Sequence, residues 1–87
     1  MRKETWILGI YISDRMNEAT RVQSILTKFG CSIKTRLGLH DVTDSYCDTA
    51  GLMILELTGD TGECMKLENE LLKIDGLEVK KMIFKQG

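Results

Sequence analysis

Eighty-seven residues carry 12 Lys and Arg against 13 Asp and Glu, a net charge of −1 and a pI near 5.8. Separate cores need about 100 residues each, so one domain over residues 1–87 is expected, and a chain this short buries only about 60–65% of its unfolded surface. Mixed charge excludes the basic face that phosphate neutralisation requires, so direct nucleic-acid binding is not expected. Three widely spaced cysteines do not make a secreted disulfide framework. The apolar run at residues 6–12 is too short to cross a membrane and no small-residue cleavage site follows it. A cytoplasmic, reduced protein is expected.

Thr5 to Ser13 is rich in β-branched and aromatic residues and reads as a first strand. Trp6, Leu8, Ile10 and Ile12 fall on one face, Ile7 and Tyr11 on the other, as in a central strand covered on both sides. Ser13 or Asp14 offers an N-cap. From Arg15 to Phe29, Ala19, Val22, Ile25, Leu26 and Phe29 recur at helical spacing, and Gly30 ends the helix. Cys31 to Leu39 alternates, which predicts Ile33, Thr35, Leu37 and Leu39 inward and Ser32, Lys34, Arg36 and Gly38 outward on an edge strand.

Asp41 to Thr49 is a polar loop. Ala50 to Thr58 is again apolar on both faces, a second central strand. Asp60 to Asp75 reads as a helix, with Asp60 and Glu63 at capping-box spacing. Cys64, Leu67, Leu71 and Ile74 form its buried stripe, and Lys66 and Glu70 an outer i,i+4 pair. Gly76 ends it, and Leu77 to Phe84 is the fourth strand.

The order β-α-β-β-α-β with right-handed crossovers predicts an α+β, ferredoxin-like sandwich: a four-stranded antiparallel sheet with both helices on one face. The first and third strands then lie centrally, in agreement with their two apolar faces. The uncovered face would carry Ile7, Gly9, Tyr11, Leu52, Ile54, Met82 and Phe84. So large an apolar patch predicts a homo-oligomer, dimer or tetramer, packed through it.

Chemistry must be argued from sites, since this fold hosts many functions. Acylphosphatase-like hydrolysis needs a glycine-rich phosphate cradle in the first strand–helix turn. Ser13-Asp14-Arg15 has an arginine but no glycine, and its carboxylate sits where phosphate would bind. A metallochaperone needs C-x-x-C, which is absent. An RNA-binding sheet needs stacking aromatics in a basic surround, and Tyr11 with Phe84 falls short. His40, Asp41, Asp44, Cys47 and Asp48 offer metal-ligand types, but their spacing fits no finger and a polar loop collects such residues anyway. Cys47 with His40 lacks an orienting third group for nucleophilic catalysis. Cys31 and Cys64 take places suited to small buried hydrophobes. No catalytic residue, metal or cofactor is expected.

The stretches ILGIYISDR, SIKTRLGLHDV, GLMILELTGD and GLEVKKMIF resemble the iron-only hydrogenase system regulators. These are small ACT-like proteins related in fold to the C-terminal domain of nickel-responsive repressors. The resemblance spans Trp6 to Phe84, and its most specific piece is R-x-G at Arg36-Leu37-Gly38. It implies a stand-alone, oligomeric regulatory domain that senses a small molecule. ACT domains bind amino acids near the first strand–helix turn, which by position implies Ser13, Asp14 and Arg15, with Arg36, Gly38 and His40 as neighbours. Arg36 and Gly38 read equally well as an edge-strand charge and a bulge or close-packing glycine. One histidine argues against nickel binding, and with no counterpart of those repressors' DNA-binding segment in residues 1–87, any role in transcription is expected to need a partner protein. The alternative is an interaction module that adds a partner strand at the Cys31–Leu39 edge or binds through the polar loop.

Overall fold

The computed structural model describes residues 3–13, 15–39 and 51–86. Strand β1 (Lys3–Ile12) leads into helix α1 (Arg15–Lys28). A short 3-10 turn (Gly30–Ser32) precedes strand β2 (Ile33–Leu39). Strand β3 (Gly51–Leu57), helix α2 (Thr61–Leu72) and strand β4 (Leu77–Gln86) follow. The sheet is antiparallel in the order β2-β3-β1-β4, so β1 and β3 are central, as their two apolar faces predict. This is the ferredoxin-like βαββαβ arrangement.

One core holds the molecule. Leu8, Ile10, Leu55 and Leu57 from the central strands meet Val22 and Leu26 of α1 with Phe29 just after it, and Cys64, Leu67 and Leu71 of α2 with Ile74 just after it. Ala19 and Ile25, expected in the α1 stripe, are half-buried at its margins. Trp6 closes one end of the core. Its indole Nε1 donates to Glu4 (3.0 Å), and Lys81 Nζ lies 5.0 Å over the ring while also meeting Glu68 (3.0 Å).

Several local expectations are corrected. Residues 30–32 form a 3-10 turn, so β2 starts two residues later than the alternation predicts, and Cys31 is exposed there while Ser32 is buried. Lys66 pairs with Glu63 (2.9 Å), not Glu70, and Glu70 reaches across to Lys28 of α1 (2.8 Å). An inter-helix partner has displaced the local one. Asp60 caps α2 by accepting from the Gly62 amide (3.0 Å), and the Glu63 carboxylate turns to Lys66 instead of closing a capping box.

The largest correction concerns the faces of β2. Ile33 pairs with Leu57, but Thr35 pairs with Glu56, which leaves Lys34 as an extra residue in a bulge. One extra residue reverses which face every later side chain occupies. Leu37, expected inward, therefore stands on the uncovered face opposite Ile54, while Arg36 and Gly38, expected outward, lie on the helix side opposite Leu55 and Met53. Lys34 itself lies 3.8 Å from Glu56.

Candidate functional site

The residues singled out in the sequence divide between two places. Ser13 follows the last residue of β1 and is tied to the scaffold: its hydroxyl donates to Gly76 O (2.6 Å), and its amide donates to the same oxygen (3.2 Å). These bonds fasten the exit of the first strand to the entry of the last. Gly76 has φ +80°, and an added Cβ would lie 3.3 Å from the Ser13 hydroxyl oxygen. Ser13 thus serves as a clasp, which neither the N-cap nor the ligand reading foresaw. Asp14, His40 and the rest of the 40–50 stretch, including Asp41, Asp44, Cys47 and Asp48, lie outside the described residues, as does the Arg15 side chain.

Arg36 and Gly38 are elsewhere. Arg36 shares a cross-strand row with Leu55 and Leu8, and Ser13 is five residues beyond Leu8. At about 3.3 Å per residue that is roughly 17 Å along the strand, too far for one small ligand to touch both. The bulge turns Arg36 toward α1, where its guanidinium donates to Gln23 Oε1. The space beside Gly38 is open: an added Cβ would meet nothing within 4 Å.

An open groove of ≈ 620 Å³ runs along the same helix, lined by Ala19, Thr20, Gln23, Ser24 and Thr27. Gln23 belongs to both the groove and the Arg36 contact. The flank is uncharged and supplies hydroxyls at Thr20, Ser24 and Thr27, whereas other outward positions of α1 carry Glu18, Arg21 and Lys28. Among the described residues Arg36, like Lys73 and Lys85, pairs with no carboxylate, while Arg21, Lys28, Lys34, Lys66, Lys80 and Lys81 each do. A guanidinium held by a neutral amide retains donors for an anion. The sequence reading missed this flank. Its one signal is an uncharged, hydroxyl-rich row at i, i+1, i+4, i+5 and i+8.

Elsewhere chemistry is sparse. Among the described residues no group of three His, Cys, Asp or Glu is placed to hold a metal ion. Burial, helped by the Asp60 charge, pushes the Cys64 thiol above its ordinary pKa. No described helix is long and apolar enough to cross a membrane.

No family model matches the chain, and no curated protein is significantly similar to it. Solved structures do match. An uncharacterized protein of Thermotoga maritima is 25% identical, with a TM-score of 0.79 over 97% of this chain and 99% of that one. The ACT domain of the GTP pyrophosphokinase of Chlorobium tepidum is 18% identical, with a TM-score of 0.65 over 94% of this chain and all of that one. CPII of Thiomonas intermedia K12, a nitrogen regulatory PII-like protein bound to ADP, AMP and bicarbonate, is 10% identical, with a TM-score of 0.62 over 100% and 94%. The fold is thus shared with ACT and PII-like proteins along essentially the whole chain.

Proposed function

We propose that this chain is a non-enzymatic regulatory module that senses a small anionic molecule along the flank of α1. The observation that carries the reading is Arg36, a guanidinium held against the groove by neutral Gln23 with no described carboxylate to neutralise it. A carboxylate or phosphate would accept from Arg36, and the hydroxyls of Thr20, Ser24 and Thr27 would orient the rest of the molecule. Likeness in fold to an ACT domain and to an adenine-nucleotide-bound PII-like protein supports amino acids and adenine nucleotides as the first ligands to try. Output would be a population shift, with ligand favouring one arrangement of the molecule or its assembly.

Native mass spectrometry of the protein as purified, followed by thermal shift with ADP, AMP and the amino acids, tests this reading. A bound small mass, or a Tm increase that Arg36→Gln abolishes while leaving the unliganded Tm within about 2 °C, is expected. A bare protein that none of these ligands stabilises, but that co-purifies with a host protein, would replace the sensor with an interaction module. For such a module the Cys31–Leu39 edge is poorly suited, because the 3-10 turn and the Lys34 bulge leave only Thr35–Leu39 regular. The resemblance to hydrogenase regulators supports a narrower role in iron-only hydrogenase expression or assembly, in the cytoplasm. Unchanged hydrogenase activity in a strain lacking this protein would remove that narrower role.

A further inference from the structure

Which anions suit the flank of α1 follows from its hydrogen-bonding inventory. A guanidinium carries donors only, so the side chain that meets Arg36 must present an oxygen, and Gln23 does so through Oε1. The Gln23 Nε2 then remains for a ligand, with two further donors. Thr20, Ser24 and Thr27 add hydroxyls, each able to donate, and Ala19 adds a methyl. Among the described residues no carboxylate lines this groove. The one acidic residue of α1, Glu18, pairs with Arg21 (3.5 Å) and stands about 160° round the helix from Thr20.

We infer that the ligand of this flank is a phosphate monoester with a hydroxylated body, a sugar phosphate or a nucleoside monophosphate, and that free amino acids are rejected. The inference rests on the sensor reading above and narrows it. An α-amino acid anchored by its carboxylate on Arg36 holds its ammonium within roughly 6 Å of the guanidinium, and no described carboxylate offsets that repulsion. A phosphate monoester brings no cation. It carries close to two negative charges and three acceptor oxygens, which suit a bidentate guanidinium and the Gln23 donors together. Its body then has somewhere to lie. Thr20 to Thr27 spans roughly 10 Å along the helix, with Gln23 between them, so the hydroxyls reach well past the anion. Hydroxyls both donate and accept, which is what the hydroxyls of a sugar need. A groove of ≈ 620 Å³ is also sized for a ligand larger than an amino acid.

Isothermal titration calorimetry with ribose 5-phosphate, AMP, inorganic phosphate and the amino acids tests this choice. At least one ester should bind about tenfold more tightly than inorganic phosphate, and no amino acid should bind at up to about 5 mM. Gln23→Glu gives Arg36 a carboxylate and should weaken ester binding about tenfold or more. Thr20→Ala with Ser24→Ala removes two hydroxyls while favouring the helix. It should weaken ester binding about tenfold and leave inorganic phosphate within about twofold. Both proteins should keep the wild-type circular dichroism spectrum. An amino acid that binds the wild type but not Arg36→Gln overturns the inference and keeps the sensor. Ester binding that Arg36→Gln leaves unchanged overturns both, because the anion then sits elsewhere. Absence of binding by every phosphate overturns the inference, and absence of binding by every probe overturns the sensor as well. Inorganic phosphate as tight as both esters keeps the anion and overturns the hydroxylated body.

Discussion

Two described cysteines on one small scaffold have opposite surroundings. Cys64 Sγ is buried among core side chains, 3.9 Å from Thr58 O, and its thiolate is disfavoured by burial and by Asp60. Cys31 stands exposed in the 3-10 turn. Thiolate is the reactive form. In a Cys47→Ser background at pH 8, one equivalent of thiol should therefore react quickly with an aromatic disulfide reagent and a second only on unfolding. Cys31→Ser should remove the fast phase, and a fast phase that persisted would show that Cys64 is accessible. Because the folded protein holds the Cys64 proton more tightly than the unfolded chain does, stability should fall as pH rises past the ordinary thiol pKa of about 8.5. Sequence spacing placed both sulfurs in the interior. It succeeded for Cys64, which sits in a helical stripe, and failed for Cys31, whose apparent alternation belongs to a turn.

At the level of elements, the joints carry more information than the strands and helices they connect. Gly76 adopts a left-handed conformation at the start of β4 while its carbonyl receives two hydrogen bonds from Ser13. An alanine there would meet both the backbone penalty and the Ser13 hydroxyl, so Gly76→Ala should cost about 1–2 kcal/mol in chemical denaturation. A loss below about 0.3 kcal/mol would show that the clasp carries no strain. The helices are joined by Lys28 and Glu70, and that hydrogen bond lowers the Glu70 pKa. A carboxylate depressed in the folded state adds stability above its unfolded pKa, near 4.3, which disappears as pH falls through the lowered value. Glu70→Gln should accordingly flatten the acid limb of Tm against pH and leave the limb above pH 8 unchanged. None of this was legible in sequence, where Glu70 has a closer partner in Lys66 at i−4. Only the packing of α1 on α2 decides between the two lysines.

For the whole molecule, the architecture was legible because its central strands advertise themselves. A run such as Leu8, Gly9, Ile10, Tyr11, Ile12 has no charged face, and two such runs as the first and third strands along the chain leave few arrangements open. The candidate site was legible only in part. Arg36 and Gly38 were singled out as candidates, but the α1 flank beside Arg36 has no apolar period to mark it, and nothing in the spacing announced the Ser13 bond to Gly76. The β2 faces were misread because a bulge is invisible to a rule that counts by two.

That bulge also bears on solubility. β2 is an outer strand, and an outer strand with straight, unpaired amides invites another molecule to continue the sheet without limit. Lys34 interrupts the ladder with an extra, charged residue on that rim. Deleting it would leave Thr35 to Leu39 in their present register, so every later side chain would keep its face. What would change is the margin of the sheet, now smooth from Ile33 onward. Deletion of Lys34 should thus preserve the circular dichroism spectrum yet shorten the lag before thioflavin-positive fibrils form on agitation. An unchanged lag would mean that this rim is guarded by something other than its kink.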